Sequence, residues 1–342
     1  MKAFWDPVQL QHAPKFFLQR GQVRSNLDAP ARADALLTTC REMKLQIVRP
    51  APADRTALET VHLPAYLDFL RDLPAAWAAM PDRGPEAVPN VHPMPEMFGN
   101  GARLPTSVMG QLGWYTADTS CPISASTWPA ALAAASCALA AADAVSDGDL
   151  LAYALCRPPG HHAYPARAGG HCYLNNAALA AQRLRDRGAQ RVAVLDLDSH
   201  HGNGTQSIFW SRGDVFFVSI HGDPNEYYPW YVGHGHERGG GRGFGCNLNL
   251  PLPRRSDDLD WQAAIEHALS AVRSFGADAL VVSLGFDASL HEPLQFFTVS
   301  NDGFSRAGEQ VAALRMKTVL VQEGGYATAQ IGGLLRNFLE GF

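Results

Sequence analysis

The stretch RVAVLDLDSHHGNGTQ, residues 191–206, decides the fold of this chain. Its first half is a short apolar run without polar alternation, which is typical of a strand buried on both faces of a parallel sheet. Its second half turns polar at once, with aspartates, two adjacent histidines and glycines. A buried strand that ends in such a cluster predicts a ligand site at the carboxyl ends of the strands of an open sheet.

The same apolar pattern recurs along the chain and predicts an α/β fold, with a central parallel sheet covered by helices on both faces. Runs suited to buried strands lie at 151–156, 191–198, 215–221, 277–287 and 317–325. An alanine-rich helix is expected from Trp128 to Val145, and a second helix is expected over 175–188. No internal repeat or low-complexity linker divides the sequence, so we expect one domain over 1–342.

Composition bears on the partners of the protein. The chain has 28 basic and 33 acidic residues and a net charge of -5, so its overall field attracts neither nucleic acid nor an anionic membrane. Neither a signal-peptide core at the start nor a membrane-spanning apolar run is expected, which favours a cytoplasmic protein. The six cysteines lack C-x-x-C spacing, which favours buried reduced thiols.

Two pairs of adjacent histidines follow two of the predicted strands. His161 and His162 follow the run at 151–156, and His200 and His201 follow the run at 191–198. Because the carboxyl ends of parallel strands meet at one edge of a sheet, both pairs can belong to one site.

A metal site is predicted at the same edge. Asp198 and His200 are two positions apart at the end of a strand, so their side chains point the same way. With Asp287, which follows the run at 277–287, they form a set of oxygen and nitrogen donors. Three such ligands with an open position are typical of a catalytic zinc site.

Short motifs along most of the chain resemble the histone deacetylase superfamily, including bacterial acetylpolyamine amidohydrolases and deacetylase-like amidohydrolases. In family order they read RPPGHHA, GGHCYLNNAALAA, LDLDSHHGNGTQ, SIHGDP, NLNLPLP, SLGFDA and EGGY. The resemblance implies a single arginase-deacetylase-like domain with its active site at the carboxyl ends of the strands. It also implies a hydrolase that removes an acetyl or short acyl group from a primary amine, such as an acetylpolyamine.

The resemblance assigns the metal ligands and the group that binds the substrate carbonyl. It implies one Zn²⁺ per chain, held by Asp198, His200 and Asp287. Tyr326 would hydrogen-bond the substrate carbonyl opposite the zinc and stabilise the oxyanion. A structural K⁺ is also implied, and its ligands would be oxygen atoms of Asp196, Asp198, His200 and Ser219.

The tandem histidines receive different roles from the resemblance. His162 would take a proton from water and give it to the departing amine, while His161 would supply electrostatic support. Asp196 would orient His161, and Asn203 would face His162. Since one partner is charged and the other neutral, the two rings should differ in basicity.

A substrate tunnel is also implied. Its walls would include Gly170, His171 and Tyr228, with Leu294 and Met109 toward the entrance. His171 stands where relatives usually have phenylalanine or tyrosine, which makes the tunnel more polar and sensitive to pH.

The tunnel entrance departs from the pattern of polyamine-specific relatives. Those enzymes place carboxylates there, whereas the aligned positions in this chain are Met109, Ser120 and Leu294. Asp118, Glu226 or Glu292 could substitute for the missing carboxylates. Without a substitute, we expect neutral acetylated amines to be hydrolysed at least as well as cationic ones.

Three other functions compete with hydrolysis of a small acylated amine. A two-metal ureohydrolase of the arginase type needs a second aspartate after Asp287, where this chain has Ala288 and Ser289. An inactive protein that only binds acetylated ligands would lack a metal ligand, a tandem histidine or the tyrosine, and all are present. A protein lysine deacetylase and a hydrolase of neutral or aryl amides stay open.

Residues 91–123 resemble an insertion with which acetylpolyamine enzymes narrow the entrance and form dimers. We therefore expect a homodimer whose partners are small-molecule acylated amines, with no nucleic acid or membrane partner.

Overall fold

The computed structural model describes residues 1–342. The ten strands are β1 (Lys2–Phe4), β2 (Phe16–Gln19), β3 (Gln22–Ser25), β4 (Gln46–Val48), β5 (Leu151–Ala154), β6 (Val192–Asp196), β7 (Val215–Gly222), β8 (Asn247–Leu252), β9 (Ala279–Leu284) and β10 (Lys317–Gln322). Eight of them form one sheet in the order β4-β1-β5-β10-β9-β6-β7-β8, and β2 and β3 form a separate antiparallel hairpin. Every neighbouring pair in the large sheet is parallel.

Eleven α-helices connect and cover the strands. They are α1 (Pro30–Glu42), α2 (Arg55–Glu59), α3 (Pro64–Ala78), α4 (Pro95–Gly99), α5 (Val108–Trp114), α6 (Thr127–Ser146), α7 (Asn176–Asp186), α8 (Asn203–Phe209), α9 (Asp258–Phe275), α10 (Asn301–Ala312) and α11 (Ile331–Leu339). Two short 3-10 helices lie at Pro7–Gln11 and Gly241–Gly243.

The strands are apolar at nearly every position because both faces of the sheet are covered. Val192 and Val194 of β6 point into a core that they share with α3, α6 and α7. Ala193 and Leu195 point into a second core on the opposite face, formed with α1, α9, α10 and α11. The predicted α/β fold with a parallel sheet and helices on both faces is confirmed.

All five predicted strands form, and all of them except β7 end earlier than predicted. The run at 277–287 stops being a strand at Leu284, and the run at 317–325 stops at Gln322. The polar residues that follow leave the sheet to build the site. Strands β1, β4 and β8 were not predicted, because they are short or contain proline.

Both predicted helices form, as α6 and α7. The observed ends of both helices lie within two residues of the predicted ends. The expectation that no run is apolar enough to cross a membrane was wrong for α6. This helix passes that test by length and composition, with a mean hydropathy of 1.4, because alanine dominates it. However, 67% of the apolar window is buried inside the protein, where α6 packs against α7 and β5.

The cysteines and the insertion complete the comparison with the sequence. All six cysteines are free, and only Cys246 is partly exposed. Residues 91–123 are not a plain loop, because they contain α4 and α5. Bridges from Ala87 to Ile123 and from Thr116 to Ala168 tie this segment to the rest of the chain.

The order of the central strands brings distant residues to one place. β5, β10, β9 and β6 are adjacent in the sheet although they are far apart in the chain. Because all four are parallel, the segments that follow them leave from the same edge. These segments carry the tandem histidines, Tyr326, Asp287 and Asp198, respectively.

Helices α10 and α11 pack so closely that we expect Gly308→Ala to destabilise the fold. A Cβ atom at Gly308 would lie 2.0 Å from the carbonyl oxygen of Phe338, so the helices must separate. The free energy of unfolding should fall by about 1–3 kcal/mol in urea denaturation.

Gly333→Ala is the matched control, because a Cβ there meets nothing within 4 Å. It should leave stability unchanged or raise it by about 0.5–1 kcal/mol. Equal stability of the two variants would contradict the packing argument.

Candidate active site

The three predicted metal ligands lie together at the carboxyl ends of β6 and β9. Asp198 and Asp287 are fully buried, and His200 is 9% exposed. The Nδ1 atom of His200 lies 3.1 Å from Oδ1 of Asp198 and 2.8 Å from Oδ2 of Asp287. One ligand atom from each residue lies within 4.8 Å of the others.

Backbone donors hold the two carboxylates in place. The amide of Gly324 donates to Oδ2 of Asp198 at 2.9 Å, and the amide of Ser199 donates to Oδ1 of Asp287 at 2.7 Å. A Cβ atom at Gly324 would lie within 2.8 Å of an oxygen of each aspartate, so the main chain approaches as closely as it can. The result is a dry cradle for the two carboxylates.

This cradle fits a divalent metal ion. Two carboxylates buried side by side repel each other and lose their hydration, so a cation between them offsets both costs. Two carboxylate oxygens and one imidazole nitrogen are ligands of the type that catalytic zinc takes. Ser289, at the position where a second metal would need an aspartate, is buried.

The tandem histidines lie in the same cavity as the metal ligands, each with its expected partner. Nδ1 of His161 lies 3.0 Å from Oδ2 of Asp196, and Nδ1 of His162 lies 2.7 Å from Oδ1 of Asn203. The two rings are 4.0 Å apart, and the ring of His162 is 5.9 Å from that of His200. Asn203 is itself held by Tyr164, to whose phenolic oxygen it donates at 2.8 Å.

The different partners push the pKa values of the two histidines apart. Burial disfavours a charge on His161, but the carboxylates of Asp198 and Asp196 outweigh burial and raise its pKa well above the usual value. Burial and the neighbouring charge of His161 lower the pKa of His162 well below the usual value. The surroundings therefore favour the charged form of His161 and the neutral form of His162.

Tyr326 lies on the wall of this cavity and is held by Arg32, which sequence reasoning missed, and by Glu292, which it considered only for the entrance. Arg32 is buried, donates to the carbonyl oxygens of Glu323 and Gly325, and places its guanidinium 4.8 Å from the centre of the Tyr326 ring. Glu292 is buried on another side and accepts from the amide of Tyr326 at 2.8 Å. Burial raises the pKa of Tyr326 well above its usual value, so its hydroxyl keeps its proton.

Glu323 is a second buried group that sequence reasoning left without a role. Its Oε2 atom accepts from the amides of Gly160 and His161 at 2.7 and 3.1 Å. It thus joins the segment after β10 to the segment that carries the tandem histidines. Glu323 and Arg32 are far from the metal ligands in sequence. Only the place of Glu323 as the first residue of EGGY, and that of Arg32 near the start of α1, could have drawn attention to them.

A cavity of about 260 Å³ leads to these residues, and four of the five predicted tunnel residues line it: Gly170, His171, Tyr228 and Leu294. The ring of Tyr228 lies 4.9 Å from that of His162, and a Cβ at Gly170 would lie 2.3 Å from the His162 ring. Met109 lies on α5 of the insertion, which packs against α3, and it is not among the residues that line this chain's own cavity. Its assignment to the entrance stays a prediction.

His171 lines the wall, with its ring 5.5 Å from Phe17 and 6.0 Å from Tyr326. Burial lowers its pKa below the usual value, so the ring is uncharged at neutral pH. Protonation of His171 is therefore expected only below the usual pH range of a histidine, and the pH sensitivity of the tunnel stays a prediction. The backbone of His171 is left-handed, with φ of 67°.

Ser219 and the remaining histidines lie away from the cavity. Ser219 is paired with Asp196 in the register of β6 and β7, and its hydroxyl contacts Nδ1 of His221 at 2.8 Å. The potassium site stays a prediction. His201 is buried behind the metal ligands and hydrogen-bonds Gln206, while His234 and His236 stack on each other outside the site.

Comparisons with known proteins agree with this geometry. The family described as histone deacetylase domain matches residues 26–342. An acetylpolyamine amidohydrolase of Burkholderia pseudomallei is 45% identical, over 100% of this chain and 98% of that protein. Acetylpolyamine amidohydrolase 1 of Pseudomonas aeruginosa is 43% identical, over 94% of this chain and 93% of that protein.

A solved structure is similar over the same extent. The crystal structure of an acetylpolyamine aminohydrolase from Burkholderia pseudomallei superposes with a TM-score of 0.96 at 44% identity. The match covers 100% of this chain and 98% of that chain.

We expect Gly324→Ala to weaken the metal site. The new Cβ would lie 2.6 Å from Oδ2 of Asp198 and 2.8 Å from Oδ2 of Asp287, so it must displace both ligands. Affinity for cobalt(II), measured by competition with a coloured chelator, should fall about 10- to 100-fold, as when groups that orient metal ligands are altered. Gly333→Ala serves as the control, and an unchanged affinity in Gly324→Ala would refute the close fit.

Proposed function

The chain belongs to the histone deacetylase family, and we propose that it is a zinc-dependent amidohydrolase that removes an acetyl or short acyl group from a small primary amine. One observation carries the proposal. His200, which lies within ligand distance of the buried Asp198 and Asp287, lines one cavity with the two tandem histidines and with Tyr326. Zinc, when bound there, would polarise the amide carbonyl and make water more acidic.

His162 would act as the general base and then as the general acid. Its Nδ1 faces the carbonyl oxygen of Asn203, which can only accept, so the ring proton lies on Nδ1. The lone pair is therefore on Nε2, where it can take a proton from water. Because the ring is neutral before the reaction, it can later give this proton to the departing amine.

His161 would stay charged throughout the reaction. Its Nδ1 proton is held by Asp196, whose pKa burial raises to about 6, so the carboxylate is ionised at neutral pH. The fixed charge stabilises negative charge that develops on the attacked carbonyl. Tyr326 would donate its hydroxyl to the same oxygen, since its phenol remains protonated in the cavity.

The names of the relatives support a small-molecule substrate over a protein lysine side chain. The matched proteins of Burkholderia pseudomallei and Pseudomonas aeruginosa are named acetylpolyamine amidohydrolases, and both are matched over nearly their whole length. The buried Ser289 in place of a second aspartate argues against a two-metal ureohydrolase. A homodimer formed through 91–123, a structural potassium ion and a cytoplasmic location remain predictions.

We expect purified protein to hold about one zinc ion per chain and to lose activity to a strong chelator. Asp287→Ala should abolish tight binding, because it removes one of three protein ligands. Elemental analysis checks the metal content, with Asp34→Ala, an exposed aspartate on α1, as the control. Two tightly bound metals per chain, or normal zinc content in Asp287→Ala, would rule out the assigned site.

Tyr326→Phe should keep zinc and the fold but lose turnover. Deleting one hydrogen-bond donor to the oxyanion typically costs about 10²- to 10³-fold in kcat. Steady-state kinetics on an acetylated amine measures the loss, and Tyr231→Phe, 88% exposed, is the control. Near-normal turnover in Tyr326→Phe would remove the tyrosine from the mechanism.

A further inference from the structure

Three carboxylates could have replaced the missing acids at the tunnel entrance, and the structure commits each of them elsewhere. Asp118 contacts two residues of the tunnel wall. Its Oδ2 atom accepts from the hydroxyl of Tyr228 at 2.6 Å and from the amide of Gly170 at 2.9 Å. Its Oδ1 atom accepts from the amide of Ser120 at 2.7 Å. Asp118 thus holds the tunnel wall and has both oxygens engaged.

The other two carboxylates are equally occupied or out of reach. Glu226 lines the entrance but forms an ion pair with Arg254 at 3.6 Å. Arg254 in turn lies 4.5 Å from the centre of the Phe296 ring, which fixes it beside Glu226. Glu292 is fully buried behind Tyr326, accepts from its amide, and does not line the cavity.

One unpaired charge remains at the entrance, and it is positive. Arg20 lines the cavity from the turn of the β2–β3 hairpin, where its backbone φ is 51°. It is exposed, and its side chain has no ion pair or hydrogen bond within the chain. Apart from the histidines near the metal ligands, the charged side chains that line the cavity are Arg20, Arg254 and Glu226, and Glu226 is paired with Arg254.

The far end of a bound substrate would interact directly with this positive charge. The remaining wall is aromatic or neutral, with Phe17, Leu294 and Trp230 beside the uncharged His171. An ammonium at the far end of the substrate would meet a guanidinium and no free carboxylate. A carboxylate at the same position could accept two parallel hydrogen bonds from the guanidinium.

We propose that the preferred substrate is an acylated amine whose far end carries a carboxylate, as in an N-acylated ω-amino acid, and that Arg20 recognises this group. The proposal rests on the amidohydrolase function proposed above and names its substrate class. The released product would then be a free amino acid and not a polyamine.

The test compares acetamides of equal length that differ only at the far end: N-acetyl-aminohexanoate, N-hexylacetamide and mono-N-acetyl-hexanediamine. With zinc-loaded enzyme, kcat/KM for the carboxylate should exceed that for the ammonium by about tenfold. Each exposed charge contact changes affinity by up to about fivefold, and here attraction and repulsion act together. The difference should appear in KM and shrink at high salt, because exposed charges are screened.

Variants assign the effect to named residues. Arg20→Gln should lower the ratio of carboxylate to ammonium kcat/KM about threefold to fivefold and leave N-hexylacetamide unchanged. Glu226→Gln should raise the ratio, because it frees Arg254 from its partner. Arg24→Gln is the control, since Arg24 is exposed on β3 and does not line the cavity. Calorimetric binding of the uncleaved substrates to Tyr326→Phe should show the same order of affinity.

The possible failures can be told apart. Hydrolysis of N-hexylacetamide with a preference for the ammonium substrate leaves the proposed function standing and overturns the carboxylate proposal. A carboxylate preference that is the same in Arg20→Gln and Arg24→Gln overturns the role of Arg20. No hydrolysis of any of the three acetamides overturns the amidohydrolase function, and the substrate proposal falls with it.

Discussion

Two carboxylates are buried side by side, and the arrangement of the active site follows from their burial. Asp198 and Asp287 can meet only because β6 and β9 are adjacent parallel strands that end at the same edge. Their oxygens are held by backbone amides from two other segments, and Gly324 lets one of these approach closely. Such an arrangement costs free energy unless a cation lies between the carboxylates. The sheet geometry that brings them together is therefore linked to the binding of a cation.

The charge of the neighbouring groups also determines how the two histidines differ in pKa. Each has one polar partner behind it, and the difference between a carboxylate and an amide decides which ring is charged. The charged ring sits nearer to Asp198, where it neutralises part of the negative field, and the neutral ring is left free to move a proton. Glu323 joins these histidines to the segment that bears Tyr326, while Arg32 and Glu292 fix that segment from two sides. Catalytic groups from three strands are thereby locked in one arrangement.

The interior and the entrance of the cavity differ in how tightly their side chains are held. In the interior, the motifs supply the groups that amide hydrolysis needs. These groups are closely packed, so a substitution there would disturb their neighbours. At the entrance, side chains are exposed and a substitution costs little stability, so charge can vary with substrate. Arg20, on the hairpin turn, illustrates this freedom, whereas Asp118 is confined because it supports Tyr228 and Gly170.

The sequence by itself predicted the α/β class, five of the strands, the three metal ligands and the pairing of each tandem histidine with its partner. These follow from local patterns: apolar runs without alternation, polar residues at their ends, and motifs shared with a family. Only the tertiary structure decided which strands are neighbours, where each strand ends, and that Met109 does not line the chain's own cavity. It also decided that Glu292 and Asp118 are committed to hydrogen bonds and that burial keeps His171 neutral. The physical reason is that hydrogen-bond partners, desolvation and charge pairing depend on residues distant in sequence, which no local pattern records.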